Sequence, residues 1–244
     1  MKQLLRKLRS NSDLENVRPE AERLLGNVNP QVLSLAEQEL LREGFTQDDM
    51  TRLCDIHLEL LSGKIKGVSE SEADHPIALL KEEHKAILGY LDNLERISKN
   101  LNPNTNSRLS QNDLTELGTI SLTLLEAESH HRREEEALFP RLEQRGISGP
   151  PSIMRLEHNE LRKRKRALKE LVEAQDRLNE ADFSKQLVEL TGFIVPTLRS
   201  HIFKEDNILY PAALQAIPQT EWLTIANEFD RIGYCPFTPK RTRG

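Results

Sequence analysis

Two short segments of the chain combine histidine and glutamate at the same spacing. They read HHRREEEALFP and HIFKEDNILYP, and in each a histidine is followed four residues later by a glutamate and ten residues later by a proline. The repeated pairs are His130 with Glu134 and His201 with Glu205. Four residues of an α-helix turn through about 400°, so each histidine lies on the same face as its glutamate, about 6 Å away. Each pair can therefore offer an imidazole and a carboxylate to one point.

Two further histidines follow a second repeated pattern. The segments EEHKAIL and LEHNELR each hold a glutamate and a histidine in succession, Glu83-His84 and Glu157-His158, next to apolar residues three or four positions on. The chain thus contains two successive units of the form His and then His-x-x-x-Glu, separated by about seventy residues. Similar packing of the two units would bring four imidazoles and two carboxylates together inside one bundle.

A buried cluster of this composition needs a positive counter-charge. A carboxylate buried alone costs several kcal/mol, and a metal cation supplies the missing charge. Imidazole with carboxylate suits iron, manganese or zinc, and glutamates that bridge two metals with two histidines each match a dinuclear site in a helical bundle. Six protein ligands shared by two metals leave coordination positions open. The pattern therefore predicts a dinuclear metal site with room for a further small ligand.

Long helices must position these residues. Capping residues and turn-rich loops mark four of them. In chain order they are predicted to begin at Pro76, at Ser110, at Ser152 and after Asp182, and the second and third to end near Leu142 and Asn179. Pro196 lies inside the fourth, four residues after Gly192, which favours one kinked helix over two short ones. Four such helices joined by short loops predict an all-α protein built on an antiparallel four-helix bundle.

Other regions flank the predicted bundle of residues 76–216. Before it, Asn29-Pro30 and the pair Thr46 and Asp49 start short amphipathic helices, so residues 1–66 are predicted to form a small helical domain. Residues 67–75 are polar and rich in turn-forming types, which indicates a linker. Residues 217–244 are predicted to hold a short helix around 221–229 that packs outside the bundle, followed by a tail.

Composition narrows the class of protein. Charged residues make up 30% of the chain, hydrophobic residues 37% and aromatic residues 5%, which favours amphipathic helices over sheets. The net charge of −5 does not favour a nucleic-acid partner. Two cysteines fit a reducing compartment, the N-terminus lacks the features of a secretion signal, and no window is apolar for long enough to cross a bilayer. We therefore expect a cytoplasmic protein without a membrane partner.

The repeated pattern resembles that of the hemerythrin-like, or HHE cation-binding, domains. In those domains four helices carry His, His-x-x-x-Glu, His and His-x-x-x-Glu or Asp, and Leu-Phe-Pro or Leu-Tyr-Pro typically follows the second and fourth, as LFP and LYP do here. The resemblance implies two bridged non-haem irons as the cofactor, with zinc or manganese as alternatives that the same donors suit. The ligands that it implies are His84, His130, Glu134, His158, His201 and Glu205.

One ligand of hemerythrin itself has no counterpart in this chain. An additional histidine usually completes that site, and four residues after His158 this chain has Arg162. The departure disfavours reversible oxygen carriage and makes the site more similar to the four-histidine, two-glutamate pattern of the iron-sulphur cluster repair proteins. Residues 1–66 resemble the uncharacterised helical domain that is often fused ahead of such bundles, and LCDIH is its most recognisable piece.

Three functions stay open at the level of sequence. The leading hypothesis is a di-iron protein that binds a small diatomic, oxygen or nitric oxide, for sensing, iron handling or cluster repair. A second is an interaction module in which the metal is structural and a protein partner binds the N-terminal domain and the basic run RKRKR, Arg162–Arg166. A third is a ferritin-like di-iron oxidase, suggested by Glu128-x-x-His131, although that architecture needs two such motifs. Whether the protein is an enzyme stays open.

Residues beside the predicted ligands have alternative interpretations. His131 lies 100° around the helix from His130, so either could face inward, and the spacing to Pro140 favours His130. His75 is interpreted as a residue at the helix start, with a supplementary ligand as the alternative. The basic run is expected to be a charged shell paired with the acidic surface, with contact to a partner as the alternative. Within it, Lys165 is the residue expected to point inward, because five consecutive residues cover every direction on a helix.

Two other pairs are expected to be structural. Glu83 and Glu157, each directly before a ligand histidine, are expected to face solvent. Cys54 and His57 share a helix face and are expected to be a core thiol beside a surface imidazole, since the N-terminal domain offers no second half for a metal or redox site.

Overall fold

The computed structural model describes residues 75–101 and 109–239, together with Glu43. Every regular element in these ranges is a helix, which confirms the all-α class. The predicted N-terminal domain, with Cys54 and His57, lies outside the described residues apart from Glu43, as does the linker apart from His75. The proposed domain boundaries therefore stay a prediction.

Eight α-helices follow one another in the described residues. They are α1 (Pro76–Lys99), α2 (Gln111–Glu126), α3 (Glu128–Arg133), α4 (Phe139–Glu143), α5 (Gly149–Glu173), α6 (Glu180–Lys204), α7 (Tyr210–Ala216) and α8 (Trp222–Ile232). Two π-helical segments, Glu134–Leu138 and Glu205–Leu209, and two 3-10 turns, Gln175–Arg177 and Gln219–Glu221, connect them.

The helix starts match the prediction in part. Pro76 and the capping pair at Ser110 are confirmed, since the Ser110 hydroxyl accepts a hydrogen bond from the Asp113 amide. The predicted cap at Ser152 is wrong because α5 already begins at Gly149. Its first turn holds Pro150 and Pro151, where a missing N–H costs nothing. The start of α6 is also earlier than predicted: the side chain of Asn179 caps it by accepting from the Asp182 amide.

The two helices that contain an interior proline behave differently. Helix α6 continues through Pro196, which confirms one helix rather than two short ones. The predicted second helix is instead divided, first at Ala127 and then by the π-helical segment ahead of Pro140. The same segment recurs ahead of Pro211. In each segment, the carbonyl that the proline ring would meet four residues earlier lies within the wider turn. Pro196 is accommodated in α6 without such a segment.

Contacts divide the described residues into two compact units. The first comprises 135–156 and 203–225, and the second comprises 75–101, 109–134, 157–202 and 226–239. The first unit buries apolar side chains of α4, α7 and the start of α8, including Phe139, Tyr210 and Trp222. Within it, Arg145 pairs with Glu221 and Arg155 with Glu143.

The second unit holds one continuous hydrophobic core. Four helices contribute to it, α1, α2, α5 and α6, with Leu91, Leu117, Leu168 and Ile194 as examples. The apolar residues that recur along α1 with the 3.6-residue period of a helix are all buried: Leu79, Leu80, Ile87, Leu91 and Leu94. A helical bundle therefore holds the elements that carry the predicted ligand histidines.

Candidate metal centre

Two histidines from α1 and α3 form the first half of a candidate site. His84 and His130 are both buried, and their Nε2 atoms are 3.2 Å apart. The apolar residues that recur every third or fourth position of α1 carry His84 into the interior, because His84 occupies the same face.

Two histidines from α5 and α6 form the second half in the same way. His158 and His201 are buried, with their Nε2 atoms 2.9 Å apart. The sequence repeat is thus also a structural repeat, since each repeat brings the Nε2 atoms of two histidines together.

The distances between the Nε2 atoms fit coordination to a metal. Imidazole nitrogen binds a divalent metal such as zinc at about 2.1 Å, so two such ligands at a right angle are about 3 Å apart. The observed separations of 3.2 Å and 2.9 Å are close to this value. Each histidine pair therefore fits one metal ion.

Glu134 links the two histidine pairs. One carboxylate oxygen, Oε2, lies 3.6 Å from Nε2 of His130 and 3.5 Å from Nε2 of His158. The side chain is fully buried. A carboxylate in this position can contact an ion in either pair, which is what a bridging ligand requires.

Glu205 lies in the first unit. It is buried, it follows His201 by four residues, and it begins the second π-helical segment as Glu134 begins the first. Glu205 thus occupies the same place in its local structure as Glu134.

The two glutamates expected to face solvent are instead part of the site. Glu83 accepts a hydrogen bond from Nδ1 of His130 at 2.7 Å, and Glu157 accepts one from Nδ1 of His201 at 2.7 Å. The Glu83 side chain is 0% exposed and that of Glu157 is 13% exposed. A carboxylate beside Nδ1 places the proton there and leaves the Nε2 lone pair available for a metal. The prediction that Glu83 and Glu157 face solvent was wrong, because the sequence around a residue does not show whether another helix covers its side chain.

Glu83 lies in a strongly polar environment inside the protein. Burial alone raises the pKa of this carboxyl, but the hydrogen bond from His130 and the charge and hydrogen bonds of Arg133 outweigh it and hold the pKa below its usual value. Arg133 Nη2 donates to both carboxylate oxygens at 2.6 Å. Glu83 therefore stays ionised and able to accept from His130.

His131 is buried as well, so both adjacent histidines face the interior. Its ring stacks on that of His158, with the ring centroids 3.9 Å apart and the planes 14° apart. His131, His158 and His201 offer nitrogen atoms within 4.8 Å of one another. A metal lies near the plane of each imidazole that binds it, and two nearly parallel stacked rings share no such point. His131 therefore does not fit the same ion as His158 in this arrangement.

Burial also determines the charge state of His131. It lowers the pKa of this imidazole well below its usual value of 6.5, and the charges of His158, Lys165 and other neighbours act in the same direction. The ring is therefore neutral at physiological pH, as packing against another imidazole requires.

The basic run RKRKR lies on α5 with most of its charges paired. Lys165 is 1% exposed, which confirms that it points inward. Arg162 donates to Glu128 at 2.7 Å, while Lys163 and Arg164 pair with Glu160 at 3.2 Å and 3.1 Å. These ion pairs agree with the charged shell that the sequence favoured.

Two other sequence interpretations concern single residues. His75 is the N-cap of α1, because its Nδ1 accepts a hydrogen bond from the Ile77 amide at 3.2 Å, which confirms its role at the helix start. Glu128, which with His131 suggested a ferritin-like motif, has a side chain that is 35% exposed and pairs with Arg162. Oε1 of Glu128 accepts from Arg162, and Oε2 lies 3.7 Å from Nδ1 of His131.

The fold and the site together define a helical metal-binding protein. In its interior, imidazoles and a carboxylate point toward one another. The chain belongs to the family of the hemerythrin HHE cation binding domain, whose family model matches residues 75–213. Residues 1–67 match a family of unknown function, DUF438. Both matches confirm the arrangement predicted from the sequence. A search of curated proteins found no match. Among the residues that the structure describes, no helix is long and apolar enough to span a membrane.

Proposed function

We propose that this chain is a non-haem di-iron protein that binds a small diatomic molecule, oxygen or nitric oxide. The observation that carries the proposal is the repeated Nε2 pairing, 3.2 Å in one half and 2.9 Å in the other, with Glu134 between the halves. The proposed ligands are His84, His130, Glu134, His158, His201 and Glu205. Glu205 belongs to this set through its spacing from His201 and its burial.

The side chains around the ligands have two roles in such a site: they orient the ligand rings and they exclude water. Glu83 and Glu157 hold Nδ1–H of His130 and His201, so that both rings keep one orientation and one tautomer. Ile87 and Leu161, one turn beyond His84 and His158, are buried and keep water away. Two bound irons would supply open coordination positions and electrons to a diatomic ligand.

Family membership favours iron over other metals that suit the same donors. Imidazole and carboxylate also accept zinc and manganese, so the donor atoms alone do not select one metal. With Arg162 in place of an additional histidine, at least one position beyond the six protein ligands stays open for an exogenous molecule. Sensing, iron handling and iron-sulphur cluster repair are all roles that a site of this kind can serve.

The two alternative functions have less support from the described residues. A partner that binds the basic run would have to compete with the ion pairs of Arg162, Lys163 and Arg164. A ferritin-like oxidase would need Glu128 as an inward ligand, yet its carboxylate pairs with Arg162 at 2.7 Å. A protein partner of the N-terminal domain stays a separate hypothesis.

Metal analysis combined with spectroscopy tests the proposal. The purified full-length chain should contain about two irons, and its visible absorption should change on addition of air or nitric oxide to the reduced protein. The matched control is the double variant His84→Ala and His158→Ala, which removes one ligand from each half. A protein that retains one or two zinc ions and shows no ligand-dependent absorption would support a structural metal instead.

A further inference from the structure

The C-terminal segment, residues 229–238, reaches the carboxylate of Glu83. The Thr238 hydroxyl donates a hydrogen bond to Oε1 of Glu83, across a sequence separation of 155 residues. Glu83 in turn accepts from Nδ1 of the proposed ligand His130. Glu83 lies inside the region 75–213 that the family model matches, whereas residues 229–238 lie beyond it.

The same segment encloses Arg133, which is fully buried. The guanidinium carbon lies 5.3 Å from the ring centroid of Phe229 and 4.9 Å from that of Tyr234, and Nη2 lies 3.7 Å from Sγ of Cys235. Two aromatic rings at these distances stabilise a cation and restrict where its planar group can lie. The C-terminal segment therefore sets the position of the guanidinium that holds both oxygens of Glu83.

Glu83 thus receives hydrogen bonds from three directions. His130 donates from α3, Arg133 donates to both oxygens at 2.6 Å, and Thr238 donates from the C-terminal segment. Three donors determine the orientation of the carboxylate, and that orientation determines the direction of the His130 ring. Loss of one donor would let the carboxylate rotate and the ring turn with it.

The two halves of the proposed centre differ in this respect. In the repeat, the residue that corresponds to Arg133 is Lys204, whose side chain has no planar guanidinium for aromatic rings to enclose. The Glu157 side chain, which holds His201, is 13% exposed, whereas that of Glu83 is 0% exposed. The half with His84 and His130 is therefore the one held by the C-terminal segment.

We propose that the C-terminal segment is a positioning element of the metal centre, in which Thr238 and Arg133 orient Glu83 so that His130 binds its metal tightly. The inference rests on the proposed metal site. It predicts that removal of the Thr238 hydroxyl weakens metal binding at one of the two positions and not at the other. Changes to residues that orient a ligand typically weaken metal binding by about 10-fold to 100-fold.

Titration with Co(II), which reports its coordination through visible absorption, tests this assignment on the full-length chain after metal removal with a chelator. The wild-type chain should bind two equivalents. Thr238→Val keeps the shape of the side chain and removes the donor, and we expect it to weaken one equivalent by about tenfold or more and leave the other unchanged. Thr238→Ser keeps the hydroxyl and should restore the wild-type titration. Arg133→Lys, which retains the charge without the planar group that Phe229 and Tyr234 enclose, should weaken the same equivalent.

The control is Thr115→Val, which makes the same change at an exposed threonine whose hydroxyl bonds to the backbone of α2. A purely structural role would lower the unfolding midpoint of the metal-free Thr238→Val protein and weaken both equivalents together. Weakening of both equivalents together would overturn the inference. An unchanged titration of Thr238→Val would also overturn it, as would a Thr238→Ser protein that behaves like Thr238→Val. If the wild-type chain itself bound no Co(II), the proposed metal site would fail, and the two failures are thereby distinguished.

Discussion

The buried ammonium of Lys165 should destabilise the metal-free protein at neutral pH. Burial lowers the pKa of Lys165 from its ordinary value of 10.5 to about 8, Glu128 partly opposes the shift, and Arg162 adds to it. In the unfolded chain the same group regains its ordinary pKa. Between these two pH values the unfolded chain binds more protons than the folded protein, so the free energy of unfolding rises as pH increases through this window.

The size of the effect follows from the two pKa values. One pKa unit corresponds to about 1.4 kcal/mol, so a shift from 10.5 to about 8 costs about 3 kcal/mol of stability at pH 7, where both forms are protonated. At pH 10 the folded protein holds a neutral amine and the cost falls to about 1 kcal/mol. Lys165→Met keeps most of the side-chain volume and removes the charge, and it should therefore stabilise the protein by about 3 kcal/mol at pH 7.

Urea unfolding of the metal-free protein, followed by circular dichroism at pH 7 and pH 10, measures this difference. The gap in unfolding free energy between Lys165→Met and the wild-type chain should shrink by about 2 kcal/mol between the two pH values. Lys163→Met is the matched control, because the side chain of Lys163 is 70% exposed and its removal changes the net charge equally. If both variants change stability alike, or the gap is independent of pH, Lys165 does not carry a buried charge.

Three further results are expected. Glu134→Ala and Glu205→Ala should each lower metal content, measured by elemental analysis with helicity as the folding control, because each removes a proposed carboxylate ligand; full metal content in both would contradict the assignment. His131→Phe should keep the metal, since its ring stacks on His158 and does not share a coordination point with it, whereas metal loss would give His131 the ligand role. Acidification should release the metal as the ligand histidines protonate, and retention of metal below about pH 4 would argue against histidine ligands.

The sequence was most informative where chemistry and helix geometry coincide. The spacing of His130 and Glu134 could be interpreted because an α-helix places residues four apart on one face, and its repetition at His201 made chance a poor explanation. The same periodicity identified the buried face of α1 and the inward direction of Lys165. These features are local, so one chain contains all the information that they require.

Features that depend on contacts between distant residues could not be predicted. The role of Glu83 arises from α3, which supplies both His130 and Arg133, and that of Thr238 from a contact across 155 residues. The start of α5 was missed for a different reason, since Gly149, Pro150 and Pro151 look like a loop but are tolerated in a first helical turn. The signal available for Glu83 and Glu157 was their repeated place before a ligand histidine.

The paired π-helical segments impose a length constraint on the chain. Each accommodates one residue more per turn than an α-helix, so the side chains beyond it are rotated by about 100° from where a regular helix would place them. In the first, Glu134 at the start and Leu138 and Phe139 at the end are all buried. Deleting a single residue between Glu134 and Pro140 would rotate the residues after the deletion by about 100° about the helix axis relative to those before it. Evolution can thus vary the identity of the residues between them far more readily than their number.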